Sequence, residues 1–399
     1  MKKWFVSILL ALLMLSVPMA AFLPVVSAAG NPASAGAAVA ASAKGYALID
    51  VTSGRILASR QGDTKMRIAS LTKVMTAIVA IENGRLSDKV KVSRNAYAKE
   101  GSSIYLKLGE EMSLENLLYG LMLRSGNDAA VAIAEHVGAS LDGFVHMMNQ
   151  KAEEIGMVNT HFDNPHGLDT DTHYSTANDM ARLTAYSMKN PVFRQISGTK
   201  LKKAPNPNEE WDYVWRNKNK MLYLYEGADG GKTGYTKLAG RCLISSATRG
   251  TQQLAAVTLN APDDWSDHRR MFDYGFARFP LRELVHSGDP IPGTAFTAGR
   301  SFSYPLADQE TGLLSKKIEL EPQGTDNYTL GYRGRVMLYL DREPIGAVPF
   351  AEPGVNIHFS LDQARNYAMT TAADTGSSNN FTNSLLNVLR TVFTGNTGR

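Results

Sequence analysis

Two residues at the start of an apolar helical run have the types and spacing of a nucleophile and its base. Ser70 and Lys73 lie three positions apart in the segment Arg67-Ile68-Ala69-Ser70-Leu71-Thr72-Lys73-Val74-Met75. Positions i and i+3 share one helix face, so the lysine amine can take the proton of the serine hydroxyl. A lysine that is partly desolvated near other cations has a lowered pKa, and its neutral form is then available as a base. The pair therefore predicts a serine nucleophile activated by lysine.

Two further short motifs strengthen this prediction. A single S-x-x-K tetrad is weak evidence, because it arises by chance in most chains of this length. Here it is followed by Ser125-Gly126-Asn127 and then by Lys232-Thr233-Gly234. Three motifs in a fixed order are far less frequent by chance than one. The second motif falls in a tight connection between two predicted helices, where its side chains can point into a cleft.

The third motif lies on a predicted strand at the border of that cleft. Such a strand offers backbone groups to an extended peptide, and Gly234 lets the peptide come close. Lys232 contributes positive charge, and Thr233 contributes a hydroxyl that can bind a C-terminal carboxylate. Residues 227–233 are similar to a phosphate-binding loop, but three residues separate the first glycine from the Gly-Lys pair, where that loop has four. The mismatch disfavours a nucleotide site.

The composition is that of a globular protein with a sizeable core. Of the 399 residues, 44% are hydrophobic and 20% are charged, which suffices for about two domains. The formal charge is +4, and it becomes +2 when Lys2 and Lys3 are removed with a predicted leader. A net charge this small gives no indication of nucleic-acid binding. Cys242 is the single cysteine, so no internal disulfide can form, and its apolar surroundings predict a packed strand.

Both ends of the chain differ in composition from its middle. Residues 1–28 combine two lysines, an apolar run and a small-residue end, which predicts a cleaved signal peptide, with an uncleaved anchor as the alternative. Residues 29–43 are rich in Ala, Ser and Gly and predict a mobile spacer. Residues 371–380 predict a linker. Residues 381–399 contain an amphipathic segment too short to span a bilayer, which either lies at a membrane surface or packs on the preceding domain.

The middle of the chain predicts an α+β catalytic domain over residues 44–280, with helices packed on an antiparallel sheet. A hairpin comes first, and a block of helices, several strands and a closing helix follow. The predicted helices cover about residues 70–82, 114–123, 127–137, 140–155, 176–188 and 265–276. The predicted strands cover residues 45–51, 55–58, 221–224, 231–235, 241–247 and 252–260.

A shift in composition near residue 280 predicts a separate small β domain over residues 281–370. Its short predicted strands are separated by Gly, Pro and Asp turns and cover residues 301–305, 316–320, 327–330, 336–340 and 345–348. This region contains no catalytic constellation, so the chemistry is assigned to the preceding domain.

Longer stretches around the motifs carry a resemblance to a known family. They are residues 117–130, 164–169 and 231–236. With these stretches the chain resembles the low-molecular-mass penicillin-binding proteins that act as serine D-alanyl-D-alanine carboxypeptidases, in the form with a C-terminal β domain. The resemblance covers about residues 44–370 and is strongest up to about residue 280. It implies a fold like that of penicillin-binding proteins and serine β-lactamases, and it implies neither a cofactor nor a metal.

The resemblance implies a catalytic role for four motif residues. Ser70 is expected to be the acylated nucleophile and Lys73 its general base, while Ser125 and Asn127 relay protons and hold the substrate amide. The implied reaction removes the terminal D-alanine of peptidoglycan stem pentapeptides, which limits cross-linking. Ser70 is acylated as D-alanine leaves, and water then hydrolyses the acyl-enzyme. β-Lactams are expected to mimic the substrate and leave a slowly hydrolysed acyl group.

The resemblance also implies substrate binding by four strand residues, Lys232, Thr233, Gly234 and Tyr235. The lysine and the threonine are expected to hold the terminal carboxylate. The backbone N–H groups of Ser70 and Tyr235 are expected to form an oxyanion hole. Some relatives add an arginine just before the closing helix, but residues 261–265 of this chain contain none. A second carboxylate-binding group is therefore left unassigned.

The expected partners and location follow from the same resemblance. The partners are the peptidoglycan stem peptide and β-lactam antibiotics, and nucleic acid is not expected. The protein is expected outside the cytoplasm, either secreted or attached to the outer face of the cell membrane. Residues 381–399 would provide the peripheral membrane contact.

Four other functions fit parts of the sequence less well. A class A serine β-lactamase uses an additional glutamate for deacylation, and no segment between the second and third motifs supplies one convincingly. A non-catalytic β-lactam sensor would be acylated without hydrolysis, but all motif residues are present. The serine lacks the G-x-S-x-G elbow of an α/β-hydrolase. A zinc peptidase would use His161 and His166, whose loop contains a proline and a glycine that instead predict a structured turn.

Overall fold

The computed structural model describes residues 39–352 of the chain. The strands are β1 (Gly45–Asp50), β2 (Ile56–Arg60), β3 (Lys89–Lys91), β4 (Glu111–Ser113), β5 (Leu201–Ala204), β6 (Tyr213–Arg216), β7 (Ala228–Thr236), β8 (Gly240–Arg249), β9 (Gln252–Leu259), β10 (Leu281–Val285), β11 (Phe302–Pro305), β12 (Leu314–Leu320), β13 (Tyr332–Leu340) and β14 (Glu343–Ala351). The α-helices are α1 (Lys73–Asn83), α2 (Leu114–Tyr119), α3 (Asn127–Val137), α4 (Leu141–Glu154), α5 (Ala177–Lys189), α6 (Pro191–Gly198), α7 (Met221–Leu224), α8 (Asp264–Arg278) and α9 (Asp326–Thr329). Two 3₁₀ turns (Ala69–Thr72 and Asp308–Leu313) and one π-helical turn (Gly120–Arg124) occur among them.

A five-stranded antiparallel sheet with the order β2-β1-β9-β8-β7 forms the middle layer of the larger domain. Successive residues of a strand point to opposite faces, and here both faces are buried. Ala47 and Ile49 of β1 join the core shared with helices α1 to α6, whereas Tyr46 and Leu48 join the core shared with α8. This double burial explains why the sheet strands have apolar residues at consecutive positions.

Helix α1 forms the centre of the helical layer and brings the first motif into the core. Eight of its 11 residues are buried, and it contacts α3, α4, α5 and α6. A helix that is apolar on all sides is expected at such a central position. Its N-terminal end follows directly on the 3₁₀ turn that contains Ser70, and this turn packs against β7. The sheet and the helices therefore meet at the serine.

The six predicted helices of the larger domain are all present, with differences at their ends. Ser113 is the predicted N-cap, and its hydroxyl accepts the N–H of Asn116. The following helix changes to a π-helical turn at Gly120, so residues 114–123 do not form one uniform α-helix. The predicted hairpin forms as β1 and β2, and the three later strands form as β7, β8 and β9. Helix α6 and the pairs β3–β4 and β5–β6 were not predicted.

Two predicted strands are wrong, because each segment is one helical turn. Residues 221–224 form α7, where Met221 and Leu222 are buried in succession and the next two residues are exposed, so the strand alternation is absent. The Asn219 side chain accepts the N–H of Met221 and starts the turn. Residues 327–330 fall on α9, which begins where the Thr325 hydroxyl accepts the N–H of Tyr328. In both cases a local cap determines the structure of a segment too short for periodicity to show.

A small β region follows the larger domain and has its own apolar cluster. The sheet β12-β13-β14 and the pair β10–β11 enclose residues that include Phe302, Leu338 and Phe350. Strand β10 was not predicted, and the region also contains α9 and a 3₁₀ turn. The guanidinium of Arg55 joins this region to the β1–β2 turn: it donates to the backbone oxygen of Pro305 at 2.6 Å and pairs with the carboxylate of Glu310.

Several predicted segments lie wholly or partly outside the described residues. These are residues 1–28, most of 29–43, the end of 281–370, and residues 371–380 and 381–399. Within residues 39–352, no helix has the length and apolar character needed to cross a membrane.

The prediction of a mobile spacer over residues 29–43 is wrong at its end, because residues 39–43 pack on the larger domain. Val39 and Ala43 are buried. The carboxylate of Asp267 accepts the N–H of Ser42 at 2.8 Å, its hydroxyl at 2.7 Å and the N–H of Ala43 at 3.1 Å. The guanidinium of Arg270 donates to the same carboxylate. The alanine- and serine-rich composition does not reveal this anchor, because the acceptor lies more than two hundred residues away in α8.

Replacement of Asp267 by alanine is expected to destabilise the fold. The three hydrogen bonds from residues 42 and 43 and the one from Arg270 to a buried carboxylate are lost. We therefore expect the free energy of unfolding to fall by about 2–4 kcal/mol. Urea denaturation of the protein measures the change. Replacement of the exposed Glu153 by alanine is the control, with an expected change within about 0.5 kcal/mol. Equal stability of the two variants would contradict the assigned anchor.

Candidate active site

The nucleophile of the first motif lies in a strained turn. Ser70 belongs to the 3₁₀ turn before α1, and the preceding residue, Ala69, is buried with φ +48°. A non-glycine residue with positive φ is uncommon, and such strain often occurs at functional sites. The hydroxyl of Thr72 closes the turn by donating to the Ala69 carbonyl at 2.9 Å. The serine is thereby held at a fixed place between the helix and β7.

A buried histidine holds the same threonine from outside the turn. His173 Nδ1 accepts the N–H of Asp163 at 3.0 Å, so its Nε2 carries the hydrogen and donates to Thr72 Oγ1 at 2.8 Å. Burial lowers the pKa of His173 to about 4, so the ring is neutral at physiological pH. The neutral ring has one donor and one acceptor, and both are used.

Lys73 has three polar neighbours, and none of them is a carboxylate. Its Nζ lies 3.0 Å from Ser70 Oγ, 2.7 Å from Asn127 Oδ1 and 2.6 Å from the backbone oxygen of His166. The side chain is completely buried. Burial lowers the pKa of Lys73 well below its ordinary value, and the nearby charges of Lys232 and Lys218 lower it further. These effects favour the neutral amine, which is the form that can accept the proton of the Ser70 hydroxyl.

The second motif occupies the junction between the π-helical turn and α3. Ser125 has φ +68°, a left-handed conformation that ends the π-helical turn. Asn127 begins α3, and its side-chain amide donates to the Glu100 carbonyl at 2.6 Å while its oxygen faces Lys73. The next residue, Asp128, is buried and accepts the N–H groups of Ile104 and Leu106. These contacts fix the loop of residues 100–106 over the asparagine.

The third motif lies on β7, beside the other two. Lys232 is buried, and its Nζ lies 3.1 Å from Ser125 Oγ and 2.6 Å from the Thr233 carbonyl. Burial lowers the pKa of Lys232 to about 7, with a further contribution from the charge of Lys218. Thr233 is partly exposed and Tyr235 is exposed.

The glycine of this motif brings the strand against the nucleophile. A Cβ atom added to Gly234 would lie 3.1 Å from Ser70 N and 3.2 Å from Leu71 N. The residues predicted for the site therefore lie in two hydrogen-bonded groups beside β7. Ser70, Lys73 and Asn127 are joined by hydrogen bonds, Lys232 bonds to Ser125, and the backbone of β7 runs along the serine.

The loop of residues 163–169 contributes a group that the sequence interpretation missed. It was read as a turn, but the backbone oxygen of His166 is one of the acceptors for Lys73. Asn164 shapes this loop by accepting the N–H groups of His166 and Gly167 through Oδ1. Burial and the neighbouring Lys73 lower the pKa of the His166 ring to about 3, so the ring is neutral. The family-like stretch at residues 164–169 was the available signal for this role.

The same loop was the basis of the zinc alternative. His161 Nε2 lies 3.1 Å from Asp163 Oδ1, and the Thr172 hydroxyl donates to Asp163 Oδ2 at 2.7 Å. Within the part of the chain that the structure describes, no group of three or more His, Cys, Asp or Glu side chains is arranged to hold a metal ion.

Known proteins resemble this chain in sequence and in structure. The family model for D-alanyl-D-alanine carboxypeptidase (Peptidase_S11) matches residues 31–263. The D-alanyl-D-alanine carboxypeptidase DacF of Bacillus subtilis (strain 168) is 34% identical over 286 residues, which cover 69% of this chain and 73% of that protein.

Two crystal structures share the fold. The D-alanyl-D-alanine carboxypeptidase DacD from Francisella tularensis has a TM-score of 0.61 at 27% identity, with 79% of this chain and 94% of that chain covered. Penicillin binding protein 5 from Haemophilus influenzae has a TM-score of 0.65 at 27% identity, with 78% and 96% covered. The predicted fold class, an α+β domain of the penicillin-binding-protein type followed by a small β region, is therefore confirmed.

Replacement of Gly167 by alanine tests the contact between the 163–169 loop and the serine turn. Gly167 has φ +85°, and an added Cβ would lie 2.0 Å from the Ala69 carbonyl oxygen. We expect a loss of about 2–4 kcal/mol in the free energy of unfolding, together with slower acylation of the serine, because the turn must move.

Gly156 provides the matched control for that variant. It also has positive φ, at +75°, but nothing lies within 4 Å of an added Cβ. Its replacement by alanine carries only the backbone strain, about 1 kcal/mol, and should leave the acylation rate unchanged. Urea denaturation and the rate of covalent labelling by a penicillin measure both effects. Similar losses in the two variants would show that the contact with Ala69 is unimportant.

Proposed function

The chain belongs to the D-alanyl-D-alanine carboxypeptidase family, and from this we propose that Ser70 and Lys73 are the nucleophile and general base of its reaction. The protein is a serine-type carboxypeptidase that acts on the D-alanyl-D-alanine end of peptidoglycan stem peptides and is acylated by β-lactams. The observation that carries the assignment is the buried Lys73 amine, 3.0 Å from the Ser70 hydroxyl.

The hydrogen bonds of Lys73 support its role as the base. A neutral amine has two hydrogens and one lone pair. The two hydrogens have acceptors at 2.7 Å, the Asn127 side-chain oxygen, and at 2.6 Å, the His166 backbone oxygen. The lone pair is then left for the Ser70 hydroxyl. Lys73 therefore accepts the serine proton as the hydroxyl oxygen attacks the carbonyl carbon of the penultimate D-alanine.

The leaving D-alanine needs a proton on its nitrogen, and the second motif can deliver one. Ser125 Oγ lies within 3.1 Å of the Lys232 ammonium, whose pKa of about 7 allows proton exchange near neutral pH. Asn127 holds Lys73 in place and presents its side chain to the substrate amide. The proton that Lys73 took from Ser70 replaces the one that Ser125 gives to the leaving nitrogen, so Lys73 is neutral again before deacylation. Water then attacks the Ser70 ester, Lys73 takes the proton of the water, and this proton passes to Ser70 Oγ as the acid product leaves.

Substrate binding is assigned to β7, where an extended peptide can align along the strand. Lys232 and the hydroxyl of Thr233 attract the terminal carboxylate. We assign the backbone N–H groups of Ser70 and Tyr235 as the oxyanion hole. The close approach of Gly234 to the backbone N of Ser70 supports this assignment.

The reaction takes place on the cell wall, so the enzyme works outside the cytoplasm. We further propose that residues 1–28 are a signal peptide that exports the protein, and that residues 381–399 contact the outer face of the cell membrane. The first rests on the basic, apolar and small-residue order of the leader. The second rests on apolar residues at helical spacing, among them Phe381, Leu385 and Leu389.

Replacement of Ser70 by alanine is the direct test of the nucleophile. The exported form of the wild-type protein should gain the mass of one penicillin and should release D-alanine from a peptide ending in D-Ala-D-Ala. The variant should do neither, because the attacking oxygen is absent. Intact-mass spectrometry and a D-alanine assay measure the two events. An adduct that persists in the variant would refute the assignment, and rapid turnover of penicillin by the wild type would indicate a β-lactamase.

Replacement of Lys73 by arginine tests the base. In the wild type, the neutral amine exists above the lowered pKa of Lys73, so acylation rises with pH through a range well below the ordinary lysine pKa. Arginine stays charged throughout, so we expect acylation to be about 10²- to 10⁴-fold slower and this rise with pH to be lost. Acylation rates measured from acid to mildly alkaline pH provide the comparison.

A lysine away from the site provides the control for that substitution. Lys89 is exposed on β3, and its replacement by arginine should preserve both the rate and its pH dependence. If the Lys73 variant kept the wild-type pH profile, another group would have to be the base.

A further inference from the structure

A directed series of hydrogen bonds joins the 163–169 loop to the peptide bond that precedes the nucleophile. The N–H of Asp163 donates to His173 Nδ1 at 3.0 Å, and His173 Nε2 donates to Thr72 Oγ1 at 2.8 Å. The Thr72 hydroxyl then donates to the Ala69 carbonyl at 2.9 Å. The first group can only donate and the last can only accept, so the direction of donation is fixed. His173 is 3% exposed, and burial lowers its pKa to about 4, so the ring takes part in its neutral form.

The last hydrogen bond of the series fixes the plane of the peptide between Ala69 and Ser70. The C=O and N–H bonds of a trans peptide point in opposite directions. The Ala69 oxygen faces the loop, because a Cβ added to Gly167 would lie 2.0 Å from it. The Ser70 nitrogen faces β7, because a Cβ added to Gly234 would lie 3.1 Å from it. A hydrogen bond that holds the carbonyl on the loop side therefore holds the N–H on the strand side.

This peptide needs such a restraint, because its backbone is in an unfavourable conformation. Ala69 has φ +48°, and strain of this kind persists only where the surroundings enforce it. The Thr72 hydroxyl can rotate, but the hydrogen from His173 takes one of its lone pairs and leaves its own hydrogen for the Ala69 carbonyl. Successive hydrogen bonds also polarise one another, which makes the N–H at the other end of the peptide a stronger donor.

We propose that His173 is a positioning residue, which acts through Thr72 to aim the N–H of Ser70 at the oxygen that becomes negative when the substrate carbonyl is attacked. This inference rests on the proposed function, which assigns that N–H to the oxyanion hole. A donor in the oxyanion hole stabilises the tetrahedral species more than the planar carbonyl of the bound substrate. Loss of His173 should therefore slow the chemical step and leave binding of the unreacted ligand nearly unchanged.

The test compares His173→Phe with the wild type in two measurements. Stopped-flow acylation at several penicillin concentrations separates the acylation rate constant from the dissociation constant of the complex that precedes it. A peptidyl boronic acid measures affinity for a tetrahedral adduct: its trigonal boron bonds to Ser70 Oγ, the serine proton passes to Lys73, and the boron becomes a tetrahedral anion. We expect the acylation rate constant and the boronate affinity each to fall about 10- to 100-fold, less than for outright removal of an oxyanion donor. The dissociation constant for penicillin should change less than about 3-fold.

His173→Gln is the conservative variant, and it should recover most of both quantities because its amide can still donate to Thr72. His268→Phe is the matched control. The His268 ring is also buried, hydrogen-bonds with the hydroxyls of Ser245 and Thr258, and has a pKa that burial lowers to about 3. It lies in α8, which packs on the other face of the sheet. Its replacement should lower the stability of the fold and leave the acylation rate constant and the boronate affinity unchanged.

Thr72→Val provides a second test, which also applies if His173→Phe does not fold. It removes the hydroxyl between the histidine and Ala69 and should reproduce both losses. Because His173 acts through Thr72, adding His173→Phe to this variant should cause no further loss. Boronate affinity that stays at the wild-type value in Thr72→Val, or acylation that slows equally in His173→Phe and His268→Phe, would overturn the inference. A wild type that penicillin does not acylate would instead overturn the proposed function.

Discussion

A lysine amine buried without a carboxylate is the constraint on which the site depends. A charged Lys73 would have no counter-ion within hydrogen-bond distance, and desolvation of an unpaired charge is costly. Burial therefore favours the neutral amine, which is the form that a base requires. Its two hydrogens must still have acceptors, because a buried donor without a partner destabilises the fold. Asn127 and the backbone of His166 meet this need, so the second motif and the 163–169 loop must both be in place for the serine to be activated.

The positions of those acceptors explain why the chain around Ser70 is crowded and strained. Ala69 adopts a positive φ, Gly167 lies against its carbonyl, and Gly234 lies against the amide of the serine. A strained turn persists only where the surrounding structure determines it completely. Here the turn is enclosed by the central helix α1, by β7 and by the loop. The apolar core on both faces of the sheet supplies the stability that this arrangement requires.

The sequence predicted well which side chains lie together in the fold, and it predicted the neighbouring backbone groups poorly. Ser70, Lys73 and Asn127 could be grouped from their types and spacing, and they are joined by hydrogen bonds. The long helices could be predicted because their apolar periods are clear. The His166 carbonyl was missed, since every residue has a carbonyl and only the folded loop determines which one faces a lysine. The predictions for two short segments failed for a similar reason. Residues 221–224 and 327–330 are too short to show a helical or strand period, and a capping side chain determines their structure. The anchor of residues 39–43 depends on Asp267, a partner that no local pattern indicates.

Several lysines share one cleft, so the protonation of each depends on the charge of the others and of any bound carboxylate. Each ammonium disfavours the charged form of the others, so the empty cleft holds less positive charge than its composition suggests. An entering carboxylate favours the charged form of the lysines nearest to it. In the free enzyme, by contrast, the charges of Lys232 and Lys218 add to the effect of burial and favour the neutral form of Lys73. The same cations that attract the substrate therefore help to maintain the base, and a site built on a carboxylate–histidine pair would not have this coupling.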